Sequence, residues 1–261
     1  MSRFRLLFAA LSTVLALSAK AGGLPALDIL TEDDPPLTFS QNGKPAGLVV
    51  EVVQEIQRRV GSHDHITVMP WARGYRLAQT QENTALFNTN RIAERERLFK
   101  WVGPVTTTLG SFFVRRDSKL KLVSLDDARK LGQILVVRDW YLQLMLSAQG
   151  FSNLNAIVTP NQMVSMLMHG RADVIASENT TMPTQLKQLG YQPADVRKAY
   201  TFIHTSGYIA FSLKTSDAVI RAWQQALDDM KRDGSFAVIY RRWLPGEPMP
   251  EMAGGPNEKM K

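Results

Sequence analysis

Residues able to do chemistry crowd into one stretch, Asn88-Thr-Asn-Arg-Ile-Ala-Glu-Arg-Glu-Arg-Leu-Phe-Lys-Trp-Val-Gly-Pro104. An apolar run, Thr84-Ala-Leu-Phe87, reads as a short buried strand that empties into it. A helical turn carrying Arg91, Arg95 and Arg97 follows. Guanidinium groups fixed beyond a strand end suit an anionic small ligand, because arginine offers a planar fork to a carboxylate. The alternative is a solvated helix face on which Glu94 and Glu96 neutralise their neighbours. Other chemistries lack their residues. With no cysteine there are no disulfides, thiolate metal sites or cysteine nucleophiles. No nucleotide-binding loop, nucleophile elbow or metal-ligand cluster is readable, and His63 and His65 lack partners at ligand spacing. Met145, Met163, Met166 and Met168 have helical spacing and aliphatic neighbours, which predicts core packing.

The elements that must position these residues alternate between strand and helix. Ala26–Thr31 reads as a first strand, with Glu32-Asp-Asp-Pro-Pro36 as a stiff exit loop. Asn42-Gly43 predicts a small hairpin, and the apolar spacing Val49, Val52, Val53, Ile56, Val60 predicts a helix. His65–Met69 is strand-like, and Pro70 suits the start of a helix near which Trp71 and Arg73 lie. Trp71 either walls a ligand or packs under its own helix. Thr106–Val114 and Ser206–Ser212 are β-rich, glycine-containing stretches that bracket a complete strand–helix set. Within it, Ile134–Val137 reads as a buried strand, and Asp139 is placed to cap a helix from Trp140. Asn161–His169 and Thr180–Leu189 read as helices, and Glu178 stands just before the second, where it could simply stabilise the helix end. Val219–Met230 is amphipathic. From Pro245 on, proline, glycine, methionine and charge predominate, which predicts a disordered tail over 245–261.

The opening residues read as an export signal. Arg3 and Arg5 precede an apolar core from Leu6 to Leu17 and an Ala19-x-Ala21 exit, which predicts cleavage after Ala21 and a periplasmic product. The apolar run is shorter than the roughly 20 residues of a membrane anchor. Removing Arg3, Arg5 and Lys20 from 31 basic residues leaves 28 against 24 acidic ones, a net +4 without a dense basic tract. Nucleic acid is therefore not expected as a partner.

Four separated phrases make residues 26 to 244 resemble the family-3 periplasmic solute-binding proteins, the polar amino-acid binders of ABC importers. They are Pro-Pro-Leu-Thr-Phe39 with Gly47-Leu-Val-Val-Glu51, the Arg95-to-Pro104 segment, Gly170-Arg-Ala-Asp-Val174, and Arg232-Asp-Gly-Ser-Phe236 running to Trp243. The resemblance implies an α/β fold of two Rossmann-like lobes joined by a two-strand hinge, periplasmic-binding-protein-like type II. It implies lobe 1 over 24–108 and 208–244, and lobe 2 over 109–207. Counting back from Trp101, Arg95 takes the place of the carboxylate-binding arginine, and Glu178, five residues past Asp173, that of the ammonium-binding acid. Trp71 takes the place of a cleft-lining aromatic.

The chain departs from the family twice. Asp34 stands where an aromatic usually stacks on the ligand. Arg138-Asp-Trp-Tyr141 replaces a Gly-Ser/Thr-Thr turn, so that Asp139 would fill the positive helix end itself. The candidate ligand-binding residues are Arg95, Glu178, Trp71, Asn88, Asn90, Asp34, Arg73, Arg138 and Trp140. The expected function is capture of a small polar, amino-acid-like solute by hinge closure for an ABC permease. A monomer without catalysis, cofactor or metal is expected. The alternatives are an enzyme resembling the cyclohexadienyl dehydratases, with Glu178 as proton donor, and a sensor module for a membrane receptor.

Overall fold

The computed structural model describes residues 24–251 and a short strand at 259–260. The expected leader over 1–21 lies outside the described residues. The order is β1 (Asp28–Thr31), β2 (Phe39–Gln41), β3 (Lys44–Ala46), α1 (Leu48–Val60), β4 (Ile66–Val68), α2 (Trp71–Thr80) and β5 (Thr84–Asn90). A 3-10 turn at Ala93–Leu98 leads into β6 (Phe99–Arg115). Then come α3 (Leu125–Arg129), β7 (Ile134–Val137), α4 (Tyr141–Ala148), β8 (Leu154–Ile157), α5 (Pro160–Met168), β9 (Ile175–Glu178) and α6 (Met182–Gln188). β10 (Val196–Ser212), α7 (Asp217–Asp233), α8 (Ser235–Trp243) and β11 (Lys259–Met260) complete it. No helix among the described residues is long and apolar enough to cross a membrane.

Two strands of 17 residues each, β6 and β10, pair antiparallel along their whole length and form the spine. At one end β10 pairs with β5, and the parallel set β5, β1, β4 extends from there. At the other end β6 pairs with β9, followed by the parallel strands β7 and β8. The hydrogen-bond ladder therefore does not break at the crossing, where two separate lobe sheets joined by a hinge were expected. It runs β4-β1-β5-β10-β6-β9-β7-β8. The reason is length: a 17-residue strand spans roughly 55 Å, enough to serve as a member of both sets.

The two lobes separate by packing. On the first, α1, α7 and α8 cover one face around Val53, Ile56, Phe87, Phe211, Trp223 and Tyr240. α2 covers the other, with Leu30, Ala78 and Leu86. On the second, Leu142, Met145 and Leu146 of α4 pack on Phe112 and Phe202, while α5 and α6 bring Met163, Leu167 and Leu186 to the opposite face. Met145 and Met163 are buried on opposite faces, and Met166 and Met168 pack half-buried against the cluster of Met163. The spacing Val49, Val52, Val53, Ile56 puts every one of these side chains in the core. Asn42 and Gly43 both hold positive φ, 53° and 75°, in the turn of the β2–β3 hairpin.

Of the tail expected to be disordered over 245–261, residues 252–258 lie outside the described residues, whereas the stretch up to 251 is tied to the fold. Pro248 accepts a hydrogen bond from the Tyr240 hydroxyl at 3.0 Å, and Glu251 accepts one from Lys231 at 2.7 Å. Glu247 accepts from Asn179 of the second lobe at 2.8 Å, so this segment bridges both lobes. Two lysyl and tyrosyl anchors on α7 and α8 supply what the tail's own composition lacks.

Gly207 lies where β10 passes under the cleft. A Cβ there would sit 1.8 Å from Asn88 Oδ1 and 2.3 Å from Thr106 Oγ1, two atoms hydrogen-bonded to each other at 3.1 Å. Gly207→Ala is expected to destabilise the fold by about 1–3 kcal/mol in urea unfolding, through overpacking. Gly132→Ala, with no atom within 4 Å of the new methyl, should leave the midpoint unchanged or raised.

Candidate functional site: a cleft between the lobes

The parallel strands of both lobes point their carboxyl ends at the same crevice, the usual ligand position of open α/β sheets. β1 delivers Glu32 and Asp34, β4 delivers Trp71, and β5 delivers Asn88, Asn90 and, through the 3-10 turn, Arg95. β7 delivers Trp140 and Tyr141, and β9 delivers Glu178. These nine residues line a cavity of about 20 Å³, room for about one water. A solute of several heavy atoms enters only when the lobes part.

The three arginines of the 88–104 stretch have separate fates. Arg97 is exposed. Arg91 pairs with Glu96 through two contacts of 2.5 and 2.8 Å and lies over the rings of Trp101 and Tyr208. Trp101 Nε1 donates to the Glu96 carbonyl at 3.1 Å, and Arg91 N donates to Ser206 O at 3.1 Å. Ile92 is fully buried in the second lobe's apolar cluster. The turn is thereby fixed at both ends, and it carries Arg95 inward.

Arg95 is 2 % exposed. Its Nη1 makes a single long bond to Asn90 O at 3.4 Å, while Nε and Nη2 have no hydrogen-bond partner. The guanidinium lies 5.1 Å from the ring centres of both Trp71 and Tyr75. Such contacts return about 0.5–2 kcal/mol, whereas a buried donor without an acceptor costs about 1–3 kcal/mol, more when charged. Burial pushes the Arg95 pKa down, opposed by Tyr75 and Glu32.

Across the cleft Glu178, 5 % exposed, accepts from Asn90 Nδ2 at 3.3 Å and Thr180 Oγ1 at 3.5 Å. Burial pushes its pKa up to about 7, with Tyr141, Asn90 and Thr180 pulling the other way. Burial, then repulsion from Glu178, pushes Glu32 up to about 8. Asp34 is raised well above the ordinary carboxylate range by burial and by Glu178 and Glu32. Its Oδ1 is buried without a partner. The Tyr141 hydroxyl is raised by the same burial and by Glu178.

Among the described residues no group of histidine, cysteine or carboxylate side chains is placed to hold a metal ion. Of the residues expected from the sequence, the structure brings together Arg95, Glu178, Trp71, Asn88, Asn90, Asp34 and Trp140. Arg73 and Arg138 are exposed and outside the cleft. Arg73 sits two positions beyond Trp71 on α2, on the other side of the helix. Arg138 leaves β7 towards solvent. Nor does Asp139 cap α4: the N-cap is Trp140, and Asp139, at φ 63°, is exposed and accepts no bond from the helix. It lies one residue too early for its carboxylate to reach the first-turn N–H groups. Glu32 and Tyr141 were not foreseen. The signal for Glu32 was strand alternation, which turns Glu32 and Asp34 inward and Asp33 out.

A family model described as bacterial extracellular solute-binding proteins, family 3, matches residues 27–246. The chain belongs to that family. No curated protein sequence matches it. Among solved structures, a histidine kinase sensor domain with similarity to periplasmic binding proteins superposes with a TM-score of 0.77 at 20% identity, covering 86% of this chain and 98% of that one. An ancestral arginine-binding protein bound to arginine gives 0.71 at 20% identity, covering 84% and 98%. The ancestral amino acid-binding protein AncCDT-1, a precursor of cyclohexadienyl dehydratase, gives 0.70 at 17% identity, covering 84% and 94%. At these identities the likeness establishes the two-lobe fold shared by such solute-binding proteins.

The raised carboxylates make stability depend on pH. In the unfolded chain Glu32 and Glu178 ionise near 4.5, whereas in the fold they keep their protons to about 8 and about 7. The folded state therefore binds more protons between those values, and its stability falls as pH rises through that window. The thermal midpoint of the ligand-free protein is expected to drop by several degrees from pH 5 to pH 8. Glu32→Gln should flatten that slope; a midpoint rising with pH in both proteins would contradict the assignment.

Proposed function

We propose that this solute-binding protein captures a small polar, amino-acid-like solute in the periplasm and hands it to an ABC permease. On this reading the leader is removed after Ala21, and the mature protein acts as a monomer without cofactor. One lobe receives the solute and closure buries it against the other, the motion known for periplasmic binding proteins. The observation that carries the reading is Arg95, a buried guanidinium whose Nε and Nη2 are unpartnered beside a cavity that Glu178 also lines. A carboxylate takes both N–H groups in bidentate fashion, Glu178 takes an ammonium, and Trp71 and Trp140 wall the apolar part. The arginine bound by the ancestral relative has those same two groups. Micromolar capture corresponds to roughly 8 kcal/mol, within reach of two such charged contacts and an aromatic wall.

The test is a thermal-shift screen against amino acids, small peptides, polyamines and dicarboxylates, followed by calorimetry with the hit. Arg95→Ala is expected to weaken binding by about 2–5 kcal/mol, and Arg97→Ala by nothing measurable. Abolition by Arg97→Ala with retention in Arg95→Ala would overturn the assignment.

A second reading draws on Glu178, whose pKa of about 7 suits a general acid near neutrality. AncCDT-1 is described as a precursor of an enzyme, cyclohexadienyl dehydratase. Release of phenylpyruvate from prephenate, lost in Glu178→Gln, would favour that reading over capture alone.

A further inference from the structure

The end of β9 is held from the first lobe on two sides. Glu178 and Asn179 are successive residues of an extended chain, so their side chains leave on opposite sides. Glu178 turns into the cleft, where Asn90 Nδ2 donates to it at 3.3 Å. Asn179 turns the other way and donates from Nδ2 to Glu247 Oε2 at 2.8 Å. Its Oδ1 accepts from Leu109 N at 2.8 Å, and its N donates to Leu109 O at 3.2 Å. The β6–β9 ladder thus extends one residue past Glu178, and a pull on Asn179 reaches the cleft acid beside it.

Glu247 belongs to the first lobe. Leu244 before it is buried in that lobe's core, and Gly246 takes φ 85° to turn the chain out of α8. Beyond it, Pro248 O accepts from the Tyr240 hydroxyl. Glu251 O accepts from Lys231 Nζ, which also donates to Pro104 O at 2.8 Å. Beside Glu247 lies a hollow of about 270 Å³ walled by Phe113, Met182, Leu186 and Val196 of the second lobe. Glu247 is the one first-lobe residue on its wall. The crossing at this point is therefore a charge-assisted hydrogen bond between half-buried groups, without close apolar packing behind it. One such bond is comparable to the free-energy gap between the open and closed forms of a two-state protein.

We propose that the C-terminal segment is a latch: the Glu247–Asn179 bond holds the lobes together and sets the closed fraction of the ligand-free protein. Glu247 rides on the first lobe and Asn179 on the second. A hydrogen bond tolerates only tenths of an ångström of stretch, which a parting of the lobes exceeds. The closed fraction in turn scales the apparent affinity for whatever the cleft takes. Glu247 is thus a positioning residue, acting on Glu178 through Asn179.

Pulsed electron paramagnetic resonance tests this without any ligand, so its outcome is separate from that of the solute-capture reading. The chain has no cysteine, and Arg73→Cys with Leu144→Cys places one spin label on an exposed position of α2 and one on α4. Both helices begin at the cleft, with Trp71 and Tyr141. The labelled full-length mature protein is expected to show chiefly the shorter of two label distances. Glu247→Ala should lower the ratio of short to long about three- to tenfold. Glu247→Gln keeps an acceptor for Asn179 and should lower it by less than about threefold. Asn179→Asp still accepts from Leu109 N but sets one carboxylate against another, and should lower the ratio at least as far as Glu247→Ala. Combining it with Glu247→Gln pairs a donor with an acceptor again and should bring the short distance back. A ratio unmoved by Glu247→Ala and by Asn179→Asp would overturn the latch. So would a long distance that prevails before any change at Glu247, or one in Asn179→Asp that Glu247→Gln fails to reverse.

Discussion

A guanidinium that is 2 % exposed, with two of its three nitrogens unpaired, is the constraint on which the rest of the cleft depends. Arginine does not shed its charge in a protein. Holding it dry therefore needs a rigid mount and a nearby supply of negative charge. The mount is the 3-10 turn, clamped by the Arg91–Glu96 pair, by Trp101 and by Ile92 reaching into the second lobe's core. Glu32, Asp34 and Glu178 line the same cavity, but their own burial raises their pKa values and limits the negative charge they offer Arg95 near pH 7.

On the solute-capture reading, the same arrangement would give closure a driving force. Arg95, Asn90, Trp71 and the first-lobe acids stand on one side, and Glu178, Trp140 and Tyr141 on the other. Bringing them together without a solute concentrates like charges at low dielectric, and the acids answer by keeping protons. On the solute-capture reading, a bound carboxylate would fill the donors of Arg95. The unbroken ladder through β6 and β10 keeps the lobes in register, since bending two long strands moves the lobes without breaking either core. Asn179, bonded to Leu109 in the spine and to Glu247 in the C-terminal segment, adds a further tie beside Glu178.

Much of this was legible in the sequence. The family resemblance, counted back from Trp101, singled out Arg95 from Arg91 and Arg97, and of the three Arg95 is the one that lines the cavity. The Arg91–Glu96 pair was hidden, since five-residue spacing is not a helical neighbour relation. Arg73 and Arg138 looked equivalent to true lining residues because closeness in sequence ignores which way a side chain turns. Tyr141 was hidden by the expectation that Asp139 caps the helix, whereas a left-handed Asp139 puts Trp140 at the cap and Tyr141 against the acids. The continuous ladder could not be read from local patterns, as it depends on pairings from 81 (Val196 with Arg115) to 113 (Ser212 with Phe99) residues apart.

The most direct measurement is nuclear magnetic resonance of the Arg95 side chain in protein labelled with ¹⁵N-arginine, with its Nε–H signal assigned by its loss in Arg95→Lys. The unlabelled hit of the thermal-shift screen is added to saturation. A carboxylate gripped by Nε and Nη2 should shift that signal downfield and slow rotation about the Cζ–Nε bond, resolving the Nη groups. An Arg95 signal that stays in place while that solute binds would contradict the claim that this buried guanidinium receives it.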